Sequence, residues 1–288
     1  MIDQCFKDVV RKLGINKVVE TGTDMGETVA EVAKWFAEIE PKFGSIEKFF
    51  ETGAQSYNKW NVPIQYPHFA NCSESEYKIW SVDLDKASYD KATKNFSSNN
   101  NITLVNDSSE KFLRTFREQH AKQTNSRVLF FLDAHWGKFW PIRDELKTIA
   151  SLDKFIIAID DFFVPGKSNV ASARGDFGFD FYHDRVLCWG YVHDCFAPNS
   201  VRVFYPPIPN RDRRGWCLIA RGYRPEELEF LKALGLFEIP AEDSAHKRLL
   251  QPVFSTYLDL RIALRMVLPL SWLRKGFQVT RSLGLKVG

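Results

Sequence analysis

Short apolar runs rich in β-branched and aromatic residues alternate with helix-like stretches along the first two thirds of the chain. This alternation is typical of a parallel sheet with helices on both faces. It predicts an α/β fold with a doubly wound, Rossmann-like, mainly parallel sheet. The expected strands are 17–21, 78–83, 102–105, 127–132 and 155–159, and the expected helices are 26–38, 86–96, 108–120 and 141–151.

Two further strand-like runs follow at 200–205 and 215–220. The turn-rich loop between them, PPIPNRDRRG, predicts an antiparallel hairpin at the sheet edge. A helix is expected over 225–234. Residues 252–285 carry apolar residues at helical spacing with arginines between them, which predicts C-terminal amphipathic helices.

A long segment separates the first helix from the second strand, where a compact α/β unit needs only a short connection. This insertion, 37–77, is rich in aromatic residues. It is interpreted either as a lid or substrate wall beside the ligand edge of the sheet, or as a small helical appendage that packs on itself. The predicted organisation is an α/β domain over 1–222, which contains the insertion, and a C-terminal helical extension over 223–288.

Charge is unevenly distributed along the chain. The net charge is +3, which gives no case for a specific nucleic-acid partner. The last segment, 247–288, nevertheless holds eight basic residues and one acid. This basic tail is interpreted either as a helical cover with a solvated basic face, or as a contact for a second copy of the chain or an anionic surface.

The cysteines and the first residues of the sequence predict a protein that is not exported. Its five cysteines form no CxxC pair and no zinc spacing, and its first residues lack the apolar core of a secretory signal. The apolar run MVLPLSWL near the C-terminus is far too short to cross a bilayer. We therefore expect a cytoplasmic protein with no transmembrane segment.

The first predicted strand runs into a glycine-containing turn, ETGTDMGET, that opens a helix. Gly22 would permit a tight turn and a close approach of the backbone to a ligand, and Gly26 would let the helix pack against the strand. The helix N-terminus would offer N–H groups to that ligand. The spacing is not the dinucleotide pattern G-x-G-x-x-G, and GKS at 166–168 lacks the first glycine of a phosphate-binding loop, so a nucleotide triphosphatase is not favoured.

Acidic residues follow the second predicted strand. Asp83 would lie in the crevice at the carboxyl ends of the strands, where it can accept hydrogen bonds from both hydroxyls of a ribose. Asp85 is predicted to cap the next helix. Asp107 and Ser108, after the third strand, are placed to approach an adenine edge, although both are also good turn and cap residues.

Three carboxylates follow two strands that are apolar enough to be central. Asp133 ends one strand, and Asp160 and Asp161 end the next, so all three are expected at the same edge of the sheet. Close carboxylates repel one another, and Mg²⁺, which prefers oxygen ligands, relieves that repulsion. The sequence therefore predicts a magnesium site, with capping and solvent-facing turns as the alternative.

His135, Trp136 and Lys138 follow Asp133 closely. An imidazole with an ordinary pKa near ~6.5 suits a general base that deprotonates a hydroxyl. Lys138 would serve only if burial lowered its pKa. Trp136 could lie against a flat ring. Each also has a structural interpretation, as a hydrogen-bonded core histidine, a surface lysine and a packed indole.

Taken in order, these segments resemble class I S-adenosylmethionine (SAM)-dependent methyltransferases, and among them the metal-dependent O-methyltransferases of catechols and antibiotic sugars. ETGTDMGET is similar to motif I, SVDLD to the acidic second-strand motif, and LVNDSSEKF to the adenine segment. FFLDAHWGKFWPIRDEL and IAIDDFFVPG are similar to the strand ends that hold Mg²⁺ in that family. The resemblance covers approximately 15–165.

The resemblance implies SAM and Mg²⁺ as cofactors and methyl transfer to a hydroxyl of a small molecule. Asp133 would act in catalysis, with His135 or Lys138 as the base. Because Ala134 follows Asp133, His135 and Lys138 are out of register with the histidine and lysine of the catechol enzymes. Asp161 replaces their asparagine ligand, as in the sugar-modifying enzymes, so a sugar or glycan hydroxyl is expected rather than a phenol. The implied cofactor residues are Glu20, Gly22, Thr23, Gly26, Asp83, Asp107 and Ser108, and the implied metal ligands are Asp133, Asp160 and Asp161.

Acceptor contacts are expected from Trp136 and from the hairpin loop. There Arg211, Arg213 and Arg214 could bind a phosphate or carboxylate of a sugar nucleotide or glycan, with a solvated loop as the alternative. Two other function classes stay open. One is a non-catalytic SAM-binding module, and the other is a metal-dependent oxygenase or hydroxylase of related fold, which would need iron ligands such as two histidines and a carboxylate.

Overall fold

The structure is a computed structural model of the 288-residue chain. It describes residues 4–24, 26–39, 76–96, 99–120, 127–134, 140–169, 176–182 and 185–243. The predicted insertion falls mainly, and the basic tail and the predicted helices of 252–285 wholly, outside the described residues. His135, Trp136 and Lys138 also lie outside them.

Five parallel strands form the larger part of one sheet. They are β1 (Lys17–Thr21), β2 (Lys78–Asp83), β3 (Ile102–Asn106), β4 (Val128–Leu132) and β5 (Phe155–Ile159). In this part of the sheet β1 pairs with β2 and β4, β2 pairs with β3, and β4 pairs with β5. All five strands predicted from the sequence are present, and the Rossmann-like arrangement is confirmed.

An antiparallel part extends this sheet beyond β5. After a short ribbon of β6 (Phe181–Tyr182) and β7 (Arg185–Val186), the chain forms β8 (Arg202–Tyr205), β9 (Cys217–Arg221) and β10 (Phe237–Ile239). Within the described residues the sheet has eight strands in the order β10-β8-β9-β5-β4-β1-β2-β3. The predicted hairpin of β8 and β9 is confirmed, and β10 adds an edge strand beyond it.

Helices cover both faces of the sheet. They are α1 (Gln4–Leu13), α2 (Glu27–Ile39), α3 (Lys86–Phe96), α4 (Ser109–His120), α5 (Ile142–Ile149), α6 (Trp189–Val192) and α7 (Pro225–Ala233). Val18 packs with the core formed by α1, α2 and α7, whereas Val19 packs with the core formed by α4 and α5. Successive residues of one strand thus face opposite cores, which explains why β1 is buried along its whole length.

The C-terminal side of the predicted boundary at residue 222 contributes to the same sheet. Leu228 and Leu231 of α7 are buried against the core that contains α1 and α2, and β10 pairs with β8. The division into 1–222 and 223–288 stays a prediction, because most of the second segment is not described. None of the helices in the described ranges is long and apolar enough to cross a membrane.

The order of the strands reverses between β1 and β4. From β1 the chain adds β2 and β3 on one side, and it then adds β4 and β5 on the other. In open α/β sheets the crevice at the carboxyl ends of two such strands is the usual place for a ligand. We therefore expect the ligand site among the residues that follow β1 and β4.

Candidate functional site

The ends of β1, β2 and β4 are joined by backbone hydrogen bonds beyond the strands themselves. The Gly22 N–H donates to the Val82 carbonyl at 2.9 Å, and the Asp133 N–H donates to the Thr21 carbonyl at 3.0 Å. The glycine turn and Asp133 are therefore held next to each other, on the two sides of the reversal point.

Gly22 occupies a position that only glycine fits well. Its φ of +88° lies in the left-handed region, and a Cβ built there would lie 2.8 Å from the carbonyl oxygen of Asp133. Gly26 also has positive φ, and its N–H donates to the Thr23 carbonyl at 2.7 Å just before α2 begins. The tight strand-to-helix turn predicted from the sequence is confirmed, and its contact with a cofactor stays a prediction.

Asp83, at the end of β2, is fixed by two backbone groups. Its Oδ2 accepts the N–H of Asp24 at 2.8 Å, and its Oδ1 accepts the N–H of Asp85 at 2.7 Å. Partial burial raises the pKa of Asp83, and these two N–H donors oppose that shift. The first of the two hydrogen bonds connects the β2 end directly to the glycine turn, so the turn and the acid form one unit.

Two neighbouring acids have local roles in the structure. Asp85 caps α3, because its Oδ2 accepts the N–H of Ser88 at 2.8 Å, as the sequence predicts. Asp107 accepts the N–H of Ser108 at 2.9 Å and pairs with Lys111 at 2.7 Å. The Lys111 ammonium lowers the pKa of Asp107. Contact of Asp107 and Ser108 with adenine stays a prediction beside this capping role.

Glu20 lies beneath the glycine turn. Its side chain is 2% exposed, the Ser81 hydroxyl donates to its Oε2, and Thr28 also bonds to it. The Ser81 hydroxyl lies 2.6 Å from that of Thr23. Burial raises the pKa of Glu20 to about 8. The acid therefore belongs to a buried hydrogen-bond network under the predicted cofactor site, and Ser81 is a member of that network that the sequence did not indicate.

Replacing Glu20 with Gln is expected to remove a pH dependence of stability. The pKa of Glu20 is about 8 in the folded protein against an ordinary 4.5, so this group favours folding most below pH 4.5 and loses that contribution as the pH rises towards 8. Gln does not ionise. As the pH rises across this range, the free energy of unfolding of the wild type should therefore fall relative to that of Glu20→Gln, by an amount on the order of a few kcal/mol.

Urea unfolding at the acidic and the alkaline end of this pH range measures the free energy of unfolding of the variant and of the wild type. Glu229→Gln is the matched control, because Glu229 is an exposed acid of α7 paired with Lys232 at 2.9 Å. Its profile should follow that of the wild type. Parallel profiles for Glu20→Gln and the wild type would contradict the assignment of a raised pKa to Glu20.

The acidic strand ends lie side by side, as predicted. The Asp160 N–H donates to the Leu132 carbonyl at 3.2 Å, which places the start of the loop after β5 against the end of β4. Asp133 is half-buried and Asp160 is 8% exposed. Asp161 has a φ of 53°, a left-handed conformation that aspartate tolerates better than most residues.

Two side chains from the loop between β8 and β9 bind these acids. Asn210 donates through Nδ2 to Oδ1 of Asp160 at 2.9 Å. Arg214 donates through Nε to Asp161 and through Nη2 to Asp180, forming an ion pair with each. The sequence indicated the arginine-rich loop but not the contact of Arg214 with these acids. It gave no indication of Asn210 or Asp180.

Two of the three predicted metal ligands are bound by other side chains of the chain itself. Oδ1 of Asp161 is bound by the Arg214 guanidinium, and Oδ1 of Asp160 is bound by the Asn210 amide. Across the described ranges no group of three or more His, Cys, Asp or Glu side chains is arranged to hold a metal ion. The charge repulsion that led to the prediction of Mg²⁺ is relieved here by an arginine.

The other predicted acceptor residues lie at the surface of the loop. Arg213 pairs with Asp176 at 2.6 Å, and both side chains are largely exposed. Arg211 is exposed as well. Arg214 reaches the acidic strand ends, whereas Arg213 pairs with Asp176 at the surface. The role of Arg211 and Arg213 in acceptor binding stays a prediction.

No family model matches the sequence, and a search of curated proteins finds no relative. Solved structures similar to this chain include the O-methyltransferase TomG of Streptomyces achromogenes with SAM, at 11% identity and a TM-score of 0.46, covering 76% of this chain and 79% of that chain. The O-methyltransferase of Bacillus cereus with S-adenosylhomocysteine (SAH) shows 11% identity and a TM-score of 0.43, with 77% and 82% covered. A SAM-dependent methyltransferase of Aquifex aeolicus shows 12% identity and a TM-score of 0.38, with 75% and 87% covered.

Proposed function

We propose that the chain binds SAM in the crevice beside β1 and transfers its methyl group to a hydroxyl of a small molecule, a sugar or glycan. The observation that carries this proposal is the unit formed by the glycine turn and Asp83. The Asp24 N–H in the turn donates to Asp83 at 2.8 Å, and this unit lies where the strand order reverses.

The cofactor position follows from the groups that this unit presents. Each carboxylate oxygen of Asp83 accepts one backbone N–H and has a further lone pair, which can accept a ribose hydroxyl. Gly22 has no side chain, so the backbone of the turn can approach the methionine part of the cofactor. Thr23, Gly26, Asp107 and Ser108 would complete the site around the cofactor.

Asp133 is proposed to act on the acceptor. Its backbone N–H donates to the Thr21 carbonyl, next to Gly22, so Asp133 lies beside the turn that would hold the cofactor. A carboxylate at that position can accept the proton of a hydroxyl as its oxygen attacks the methyl carbon of SAM and the sulfur departs as SAH. Holding both reactants in line supplies much of the rate.

The acceptor class follows from the hydrogen-bonding character of the acidic strand ends. Asp133 is half-buried and follows β4 at the edge of the sheet where the glycine turn lies, and a carboxylate, which has several lone pairs, suits a molecule with several hydroxyl donors. A sugar or glycan has such donors, whereas a simple phenol has one. Trp136, Arg211 and Arg213 are proposed as further acceptor contacts.

Methyl transfer is tested with SAM labelled in its methyl group and a panel of sugar, glycan and phenol acceptors. We expect transfer to a sugar or glycan hydroxyl, and we expect Asp133→Asn to reduce the turnover by ~10²-fold or more, in line with the loss of a general base. SAH affinity of the variant should stay close to that of the wild type.

Equal loss of turnover and SAH binding in Asp133→Asn would assign Asp133 a structural role instead. SAH binding by the wild type without methyl transfer to any acceptor of the panel would favour the non-catalytic SAM-binding module.

A further inference from the structure

We infer that the Arg214 guanidinium is the resident cation of the acidic strand ends, and that this site takes no divalent metal ion. The cation of the site would then be part of the chain itself. The inference concerns charge balance at the ends of β4 and β5, and it holds whether or not the chain transfers methyl groups.

The first support is the set of contacts made by Arg214. Its guanidinium binds Asp161 through Nε and Asp180 through Nη2, so one cation bridges two carboxylates from different segments. The side chain of Arg214 is 18% exposed and that of Asp161 is 22% exposed. Water screens such a pair less than it screens an exposed one.

The second support is the frame that fixes the Arg214 backbone. Its N–H donates to Oδ1 of Asn210 at 2.8 Å, and its carbonyl accepts the N–H of Asn210 at 2.8 Å. The next residue, Gly215, donates to the Gly178 carbonyl at 2.7 Å and accepts the N–H of Phe162 at 2.9 Å. The Asp180 N–H donates to the Asp161 carbonyl at 2.8 Å. Backbone hydrogen bonds therefore hold Arg214 and both of its acidic partners in place.

The third support is electrostatic. An arginine keeps its proton at ordinary pH, so the guanidinium that contacts Asp161 and Asp180 carries a full positive charge. Since Mg²⁺ requires oxygen ligands in near-ideal octahedral geometry, it would have to displace a fixed cation from Asp161 before it could bind.

The adjacent arginine shows that this arrangement is specific. Arg213 pairs with Asp176 at the surface, where the two side chains are 68% and 63% exposed. An exposed ion pair of this kind contributes little to stability. Arg213 is therefore a matched control for Arg214. It is an arginine in the same loop, but its ion pair is with Asp176 and not with the acidic strand ends.

One consequence for catalysis rests on the proposed function. An arginine neutralises acidic groups but cannot coordinate an acceptor oxygen as a Lewis acid does, and it does not give up its proton. Removal of the acceptor proton would then be the task of a carboxylate or of another base of the chain, and methyl transfer would proceed in the presence of a chelator.

The inference itself is tested without SAM or an acceptor, by titrating the full chain with Mn²⁺ as a probe and following the free ion by electron paramagnetic resonance. The wild type should show no saturable binding, and its melting temperature should be the same in Mg²⁺ and in EDTA. Arg214→Gln removes the cation that binds Asp161 and Asp180, so we expect a melting temperature several degrees lower than that of the wild type. We also expect Mn²⁺ binding about tenfold or more above wild-type level, since loss of the competing cation raises the affinity of carboxylate oxygens for a metal ion. Arg213→Gln should behave as the wild type in both measurements.

Two results would overturn the inference. The first is saturable Mn²⁺ binding by the wild type that Asp161→Asn abolishes, because the acids would then hold a metal in the presence of Arg214. The second is a folded Arg214→Gln variant that melts with the wild type and gains no Mn²⁺ binding. The wild-type titration and the Asp161→Asn variant decide the question even where Arg214→Gln fails to fold. Failure of the SAM proposal would leave all of these results unchanged.

Discussion

Gly22→Ala is expected to weaken SAH binding strongly. Alanine at a φ of +88° is strained, and its Cβ would lie 2.8 Å from the Asp133 carbonyl oxygen and 2.9 Å from its carbon. The neighbouring atoms are backbone, so the turn itself must move away from β4. Strain of about 1–3 kcal/mol together with the displaced contacts converts to a loss of affinity of the order of a hundredfold.

Gly166→Ala is the matched control for this variant. Gly166 also has positive φ, at +72°, but a Cβ at that position meets no atom within 4 Å. The control therefore carries the cost of the left-handed conformation without the steric clash at the turn. Calorimetric titration with SAH should show wild-type affinity for Gly166→Ala. Unchanged affinity in Gly22→Ala would mean that the glycine turn does not contact the cofactor.

Asp83→Ala should have an effect of similar size on SAH binding. A hydrogen bond to a charged group contributes roughly 1.5–3 kcal/mol, so removing an acid that accepts both ribose hydroxyls should weaken binding by about 10²-fold or more. The variant also leaves the N–H of Asp24 without its acceptor at the turn. Both effects act on the same part of the predicted cofactor site.

Asp85→Ala separates the cofactor role from a general effect on stability. Asp85 lies two residues further along, and it caps α3 through the N–H and the hydroxyl of Ser88, each at 2.8 Å. Its loss should lower the free energy of unfolding slightly, as for other helix caps, and leave SAH affinity unchanged. If Asp83→Ala and Asp85→Ala weakened SAH binding equally, the ribose contact assigned to Asp83 would be wrong.

The central part of the fold could be predicted from local sequence patterns. Strands such as FIIAI in β5 are apolar throughout because both of their faces are buried, and this property is visible in the sequence. The glycine turn and the Asp85 cap were predicted for a similar reason, since each depends on residues close together in the chain. β10 was not predicted, because its short run, FEI, carries no distinct strand signal.

The charge balance of the site could not be read from the sequence. Arg214 is 53 residues from Asp161 and 34 from Asp180, and the choice of Arg214 over Arg213 depends on how the loop is held. The environment of Glu20 is a similar case. Its hydrogen-bond partner Ser81 is 61 residues away in the sequence, so the sequence alone could not indicate the buried network to which Glu20 belongs. Contact of Glu20 with a cofactor stays a prediction.

Calorimetric titration of the wild-type chain with SAH, carried out once with Mg²⁺ and once with EDTA, tests the central claim most directly. It requires no knowledge of the acceptor. We expect SAH to bind at one site per chain with the same micromolar affinity in both solutions, and we expect Asp83→Ala to lose that affinity. Absence of SAH binding in both solutions would contradict the proposed methyltransferase function, although the Rossmann-like fold would stand.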